Sequence, residues 1–434
     1  MSKKSEVAHP LDGAEPVAGN GLLHRRLFLR GGALFTGATA LTGIAGVGAA
    51  QAADYPAWRK EPGRPFVAYG TPSKFESDTQ RIVTVRAPGY PTAGAGSSRT
   101  PLQLLEGIIT PSGLHFERSH NGVPDIDPAQ HKLLVHGLVK QPLVFTLEAL
   151  DRYPRKSAIH FVECSGNSGG GWGLNPPVGP VGTMHGLVSC SEWSGVPLAY
   201  LLDEAGIDPK AKWILAEGAD AAGMSRSVPL SKCLDDAMVA LFQNGERVRP
   251  EQGYPMRLLL PGWEGNMNVK WLTRIKVTEG PTHTKDETSK YTELMPDGKA
   301  LQFTFPMGVK STITRPSEGV NMQGPGYYEI AGFAWSGNGK IARVDVSADG
   351  GQSWAPAALQ DPVFPKALTR FRIPWEWKGG PGIVLQSRAV DETGAVQPTR
   401  DKLIEERGIK NAYHYNGITS WEVRESGLVK NVWA

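Results

Sequence analysis

Cysteine is scarce in this sequence: three among 434 residues, Cys164, Cys190 and Cys233. A small disulfide-stapled scaffold carries many more. No two of them form C-x-x-C, and C-x-x-C-H does not occur. This excludes a c-type haem attachment, a zinc ribbon and a cysteine-held iron–sulfur cluster within the chain. Charge of one sign is also lacking. Lys+Arg is 46 and Asp+Glu 43, a net +3, which argues against a dedicated nucleic-acid binder. Long, strongly apolar runs are missing, whereas a membrane span needs about 20 such residues. Glycine and proline are plentiful, 52 and 34, and point to many turns. Hydrophobic content of 40% and charged content of 21% are those of a globular protein. The length suggests two or three domains.

From His24 the chain reads HRRLFLRGG, with Arg25 and Arg26 adjacent. A weakly apolar Gly/Ala/Thr stretch follows and ends in Ala50-Gln51-Ala52-Ala53, an A-x-A-like cleavage site. This is a secretory signal, and the paired arginines mark the twin-arginine kind. The competing reading, a membrane anchor, suits the Gly- and Thr-diluted run less well. Residues 1–53 are thus expected to be a removed signal peptide. The mature protein is expected in the periplasm, exported folded, and export after folding calls for a cofactor inserted beforehand.

Residues 54–100, rich in Pro, Gly, Ser and Thr, read as an extension along the surface, with a short strand at Arg81–Val85. Across 101–298, apolar runs alternate with turns and a few helices. Strands are expected at His131–Gly137, Ala158–Val162, Lys212–Ala216, Met256–Leu260 and Asn268–Val277. Pro197–Ala205 is amphipathic and reads as a helix stopped by Gly206. The pattern predicts a mixed α+β domain. From 299 to 434 strand-like alternation takes over, at Tyr327–Trp335, Ile341–Ser347, Leu368–Trp377 and Ile383–Val390, with a hairpin turn at Asp349-Gly350-Gly351. No helix is expected there, and the pattern suggests an all-β sandwich.

Chemistry concentrates in Phe161–Gly173, FVECSGNSGGGWG. A strand runs into Cys164 and then into a turn with three consecutive glycines, which exposes backbone N–H groups and leaves room beside the sulfur. The segment alone admits two readings: an inert buried cysteine in a tight turn, or a thiolate ligand for a soft or high-valent metal.

Further segments bear on that choice. Cys164-Ser165-Gly166-Asn167 fits C-[AS]-G-N, and Gly186, Ser189, Trp193, Gly195 and Val196 fit G-x-x-S-x-x-x-W-x-G-V. Phe116, Arg118, His120 and Pro124 fit F-x-R-x-H-x-x-x-P. Glu217, Gly218 and Asp220 fit E-G-x-D. Asn244, Gly245, Gly253, Tyr254, Pro255 and Arg257 form another block, and Pro261, Gly262, Gly265, Val269, Lys270 and Trp271 the next. Tyr291 follows that tryptophan by twenty residues, and Ser387–Asp391 with Val396–Pro398 closes the set. In this order, over roughly 100–434, the chain resembles the sulfite oxidase family of molybdenum enzymes.

The resemblance implies a molybdopterin-binding domain followed by an immunoglobulin-like dimerisation domain, and hence a homodimer. It implies that Cys164 ligates molybdenum. It assigns cofactor binding to Phe116, Glu117, Arg118, Ser119, His120, Asp220, Gln252, Arg257, Asn268, Val269 and Lys270. Arg257, Lys270 and His120 suit the pterin phosphate, which needs donors and positive charge, and Asp220 suits the pterin N–H groups. Arg118, Tyr291 and Arg424, in Trp421–Arg424, take the catalytic roles. Gln252 stands where the family often has histidine.

Gly169 stands where the family places an arginine, five positions after the cysteine. A missing guanidinium removes an oxyanion clamp and opens space. Together with Pro101–Phe116, Gly262–Met267 and Glu287–Ala300, this is similar to the sulfane dehydrogenase branch of the family. That branch implies a persulfide sulfur on a carrier protein as substrate and a separate c-type cytochrome as electron acceptor. A dehydrogenase of free sulfite is the alternative. Neither nucleic acid nor a membrane span belongs to the expected partners.

Overall fold

The computed structural model describes residues 16–24, 56–85 and 94–434. Arg25, Arg26 and the expected cleavage site lie outside the described residues.

Two sheets build the first large unit. One runs Ser225–Pro229, Trp213–Gly218, Leu272–Thr278, Lys132–Gly137, Leu143–Thr146 in spatial order, antiparallel except where Leu272–Thr278 meets Lys132–Gly137. The other orders Glu246–Arg247, Met238–Gln243, Val188–Pro197 and Lys156–Glu163, with Arg257–Leu259 also on Met238–Gln243. Leu198–Ala205 is helical, as its spacing predicts. Leu198, Leu201, Leu202 and Ala205 are buried, and Gly206 closes the helix at φ 70°, a conformation that favours glycine. The strand expected at Asn268 begins only at Leu272, because Asn268 spends its side chain on the turn, accepting from Leu260 N at 2.7 Å.

Gly186 explains one motif position. A Cβ there would collide with the Gly182 and Thr100 carbonyls, so the chains could not approach.

The expected strand near Arg81 forms as Ile82–Val85. It pairs with Gly96–Arg99, which pairs with Glu117–Ser119. The extension is therefore the outer part of a three-stranded sheet that ends at the motif around Arg118.

The C-terminal unit is a sandwich. One sheet holds Lys310–Arg315, Gly326–Trp335 and Thr369–Trp377, and the other Ile341–Ser347, Ile383–Asp391, Ser420–Val423 and Val429–Val432. Trp335, Trp375, Trp377 and Trp421 fill the space between. Contrary to expectation this unit contains a helix, Arg400–Arg407, capped by Thr399. Its charged sequence buries only Leu403, so apolar periodicity gave no signal. A second difference lies at the N-terminus. Pro16–Ala18 and Leu22–Leu23, within the expected signal, join the edge of the sandwich beside Trp375, with both leucines fully buried.

Candidate active site

The strand Lys156–Glu163 delivers Cys164 to the lining of a narrow cleft of about 70 Å³. The turn that follows is held at each residue. Cys164 N donates to Leu187 O at 2.9 Å and Asn167 N to Cys164 O at 2.8 Å. The Asn167 side chain donates to Glu163 at 2.9 Å and accepts from Leu187 N at 3.0 Å. Ser168 takes φ 62°. Ser165 receives Asn266 Nδ2 on its hydroxyl at 3.1 Å and His414 N on its carbonyl at 2.7 Å. The sulfur is thus fixed before anything binds. Burial pushes its thiol pKa up, against the pull of the Gly166 N–H and the Arg118 charge. A coordinating metal would reverse that balance, since a ligating thiol is deprotonated.

The wall opposite comes from Phe116–His120, Gln252–Arg257 and Asn268–Trp271. Arg257, 2% exposed, donates to the Gln252 and Asn268 carbonyls at 2.9 and 3.0 Å. Among the described residues its Nε has no hydrogen-bond partner, and burial alone lowers its pKa to about 9. Lys270 is likewise pushed down to about 7, mainly by burial. It reaches only neutral acceptors, Glu251 O at 2.9 Å and Ser119 Oγ at 3.3 Å. Buried cations bonded to neutral groups are costly unless an anion completes them. His115, brought down to about 3 by burial, donates from Nδ1 to Phe116 O at 3.0 Å, which leaves Nε2 a buried acceptor without a partner among the described residues. Asp220 lines the same cleft and is 8% exposed. Two buried basic side chains hydrogen-bonded to neutral acceptors suit a phosphate, and a carboxylate with an imidazole acceptor suits N–H donors.

Tyr291 closes the far side. Its Oη is 2.9 Å from His120 Nε2, and its ring lies 5.1 Å from the Arg226 guanidinium. Burial pushes the phenol well up and brings His120 down to about 3. His120 thus meets Tyr291 within the cleft. Arg226 pairs with Glu264 at 3.4 Å, 0% and 1% exposed, and Asn266 bridges Glu264 to Ser165. One polar chain therefore connects Tyr291 with the cysteine turn.

The structure brings together Phe116, Arg118, Ser119, His120, Cys164, Asp220, Gln252, Arg257, Asn268, Val269, Lys270 and Tyr291. It leaves out two expected residues. Glu117 alternates away from its neighbour Arg118 and faces Arg81 at 3.7 Å. Arg424 sits on the turn after Ser420–Val423, 54% exposed and paired with Glu422 at 3.0 Å. The sequence match there followed an inexact spacing. Sequence reasoning missed His115, Arg226 and Glu264. Glu264 does lie in the Gly262–Met267 block, but nothing distinguished its carboxylate from a surface charge.

Comparison with known proteins agrees with this geometry. Residues 120–285 match the family described as oxidoreductase molybdopterin binding domain, and 302–420 the Mo-co oxidoreductase dimerisation domain. The chain is 46% identical to a chain of the sulfane dehydrogenase SoxCD from Paracoccus pantotrophus, with a TM-score of 0.84, covering 87% of this chain and 97% of that one. The chain belongs to the sulfite oxidase family of molybdopterin oxidoreductases. It is also 31% identical over 348 residues to mitochondrial sulfite oxidase of Drosophila melanogaster and 30% identical over 340 residues to that of Homo sapiens. These matches take in 73% and 72% of this chain but only 61% and 62% of the curated relatives. The cofactor is molybdenum with molybdopterin, and the residues present fit it. Cys164 would hold the metal, and Arg257 and Lys270 would hold the phosphate. Asp220 and His115 would accept from the pterin. Among the described residues no three His, Cys, Asp or Glu converge on a metal position.

Proposed function

We infer that this protein oxidises sulfane sulfur presented as a persulfide on a cysteine of a carrier protein and passes the electrons to a separate c-type cytochrome. The observation that carries the reading is the space beside Gly169, a cavity of about 350 Å³ lined in part by Gly166, Gly169, Gly170 and Gly171. A small free dianion does not need such room, whereas a sulfur on a peptide arm does. The 46% identity to a sulfane dehydrogenase chain supports the same choice.

Full oxidation reads R–S–S⁻ plus three waters to R–S–SO₃⁻, six protons and six electrons, with the cytochrome as oxidant. The bound cofactor supplies two-electron oxygen-atom transfer, the oxygen coming from water. The chain's own residues position and balance charge. Arg118 faces the anion that grows on sulfur. Tyr291, protonated at Oη and held by His120, offers a hydrogen bond to an oxygen in the cleft. The glycine-lined cavity admits the arm.

With purified holoenzyme and cytochrome, carrier persulfide should give a kcat/KM roughly tenfold or more above that of free sulfite. An equal or higher value for sulfite would make the protein a sulfite dehydrogenase instead.

The same reading places the enzyme in the periplasm as a homodimer through its C-terminal domain. The support is the twin-arginine pattern at Arg25-Arg26 and the matched dimerisation domain. Among the described residues no helix is long and apolar enough to cross a membrane. Changing both arginines to lysine should leave the protein in the cytoplasm. Undiminished periplasmic recovery of that double variant would refute the export route.

A further inference from the structure

The sequence suggests that an oxyanion-binding cation is missing, because position 169 is glycine. The structure supplies a cation to the same space from elsewhere. Arg99 ends the strand Gly96–Arg99 and lines the glycine-lined cavity with Gly166, Gly169 and His185.

Register explains how it gets there. Ser97 lies opposite Arg118 across the ladder, and Arg99 lies two residues beyond Ser97. Residues two apart on a strand share a face, so Arg99 and Arg118 emerge on the same side of one sheet. Diagonal neighbours of this kind sit about 7–8 Å apart. Arg118 lines the cleft that holds Cys164, and Arg99 lines the cavity bordered by Gly166, Ser168 and Gly169 of the same turn. Both charges act on Cys164.

The side chain is also uncommitted. Among the described residues the buried Arg99 Nε has no hydrogen-bond partner, and no carboxylate acts on its charge. By contrast Arg118 already donates to the Gly96 and Ser119 carbonyls. A guanidinium half-buried on a cavity wall without an anion is poised to take one. His185, also on that wall, is fully buried and bonded from Nδ1 to Ser168 Oγ at 2.6 Å. Burial drives its pKa far down, so it adds no positive charge. Arg99 is therefore the cation of this cavity.

We propose that Arg99 is the second substrate-binding arginine and that the cavity it lines with Gly166 and Gly169 holds the anionic substrate on its way to Cys164. The assignment rests on the sulfur-oxidising reading above but not on the choice between carrier-bound and free substrate. Gly169 then opens the volume for an arm while Arg99 restores the charge that an arginine at 169 would have supplied.

Sulfate is the probe, because it carries the oxyanion without reacting. Its binding to the holoenzyme, followed by calorimetry and as competitive inhibition, should weaken about tenfold or more in Arg99→Gln. Arg99→Lys should recover most of the loss. Molybdenum content should remain that of wild type, and KM should rise more than kcat falls. Thr183→Asp provides an independent route. It places a carboxylate on the same cavity wall without touching Arg99 and should abolish sulfate binding at low ionic strength. Unchanged sulfate affinity in Arg99→Gln or in Thr183→Asp would overturn the assignment, as would a loss of molybdenum that Arg99→Lys does not restore. Sulfate binding proceeds without carrier or cytochrome. An Arg99 failure is therefore distinguishable from a wrong choice of substrate, which shows only in the carrier assay.

Discussion

Cys164→Ser should fold, be exported and lose turnover by about a hundredfold or more. The folding half of this expectation follows from the turn. Its hydrogen bonds run through the Cys164 backbone and the Asn167 side chain, and none needs the sulfur. Serine is smaller than cysteine and meets no new neighbour, so stability should change by less than about 1 kcal/mol. The activity half follows from ligand chemistry. Mutating mere partners of a metal ligand costs about 10–100-fold, and exchanging a soft sulfur for a hydroxyl changes the ligand itself. The wild-type thiol also carries information. It is buried and pushed up, yet Arg99 and Arg118 both act on it, so the thiolate has waiting counter-charge once a metal binds. Cys190 and Cys233 provide the contrast. Both are fully buried, and burial pushes the Cys190 thiol up to about 12. Each packs as a small hydrophobe. Thermal melts, metal analysis and steady-state rates on Cys164→Ser would check the expectation, and near-normal turnover would remove Cys164 from the metal.

What the sequence revealed and what it hid separate along physical lines. Strands with apolar alternation, such as Ile341–Ser347, were legible to the residue, because their pattern reflects which face is buried. The helix Leu198–Ala205 was legible from its stripe and its terminal glycine. The helix Arg400–Arg407 was not, since it touches the core through Leu403 alone. In the site, backbone-shaping residues and ordered motifs were readable, and eleven cofactor-binding residues besides Glu117 converge on one cleft. Glu117 failed because alternation within its three-residue strand turns it away. Arg424 failed because a charge near a motif end looks alike whether it faces a pocket or water. Arg99 went unnoticed for a different reason. It lies 65 positions before Cys164 and meets it only through the pairing of Gly96–Arg99 with Glu117–Ser119. No local pattern records such a long-range meeting. Spacing around the cysteine therefore carried no sign that Arg99 shares a cavity with Gly169.

Lys310→Met should be the most destabilising single change that leaves the cofactor residues intact. Lys310 opens the first strand of the C-terminal sandwich, and its ammonium crosses to the cysteine turn. There it lies 3.2 Å from the Glu163 carboxylate, each 1% exposed, and it also donates to Ser168 Oγ. Glu163 is completed by Asn167 at 2.9 Å and by Trp335 Nε1 at 2.7 Å. The pair thus joins the sandwich to the residue beside the metal ligand. A buried pair as such is weak evidence of stability, because desolvation offsets much of its attraction. Removing one member is another matter, for it leaves a carboxylate buried and uncompensated, at about 3–5 kcal/mol. At about 2.1 cal/mol/K per residue, a chain of this size melting as one unit would lose roughly 3–6 °C of melting temperature. The double variant Lys310→Met with Glu163→Gln should cost less than the sum of the singles, since both act on one network. Because Ser168 loses its donor as well, the cysteine turn should loosen, and molybdenum occupancy should drop alongside stability. A melting temperature within about 2 °C of wild type, with full molybdenum, would show that Glu163 finds other compensation and that the two units do not communicate through this pair.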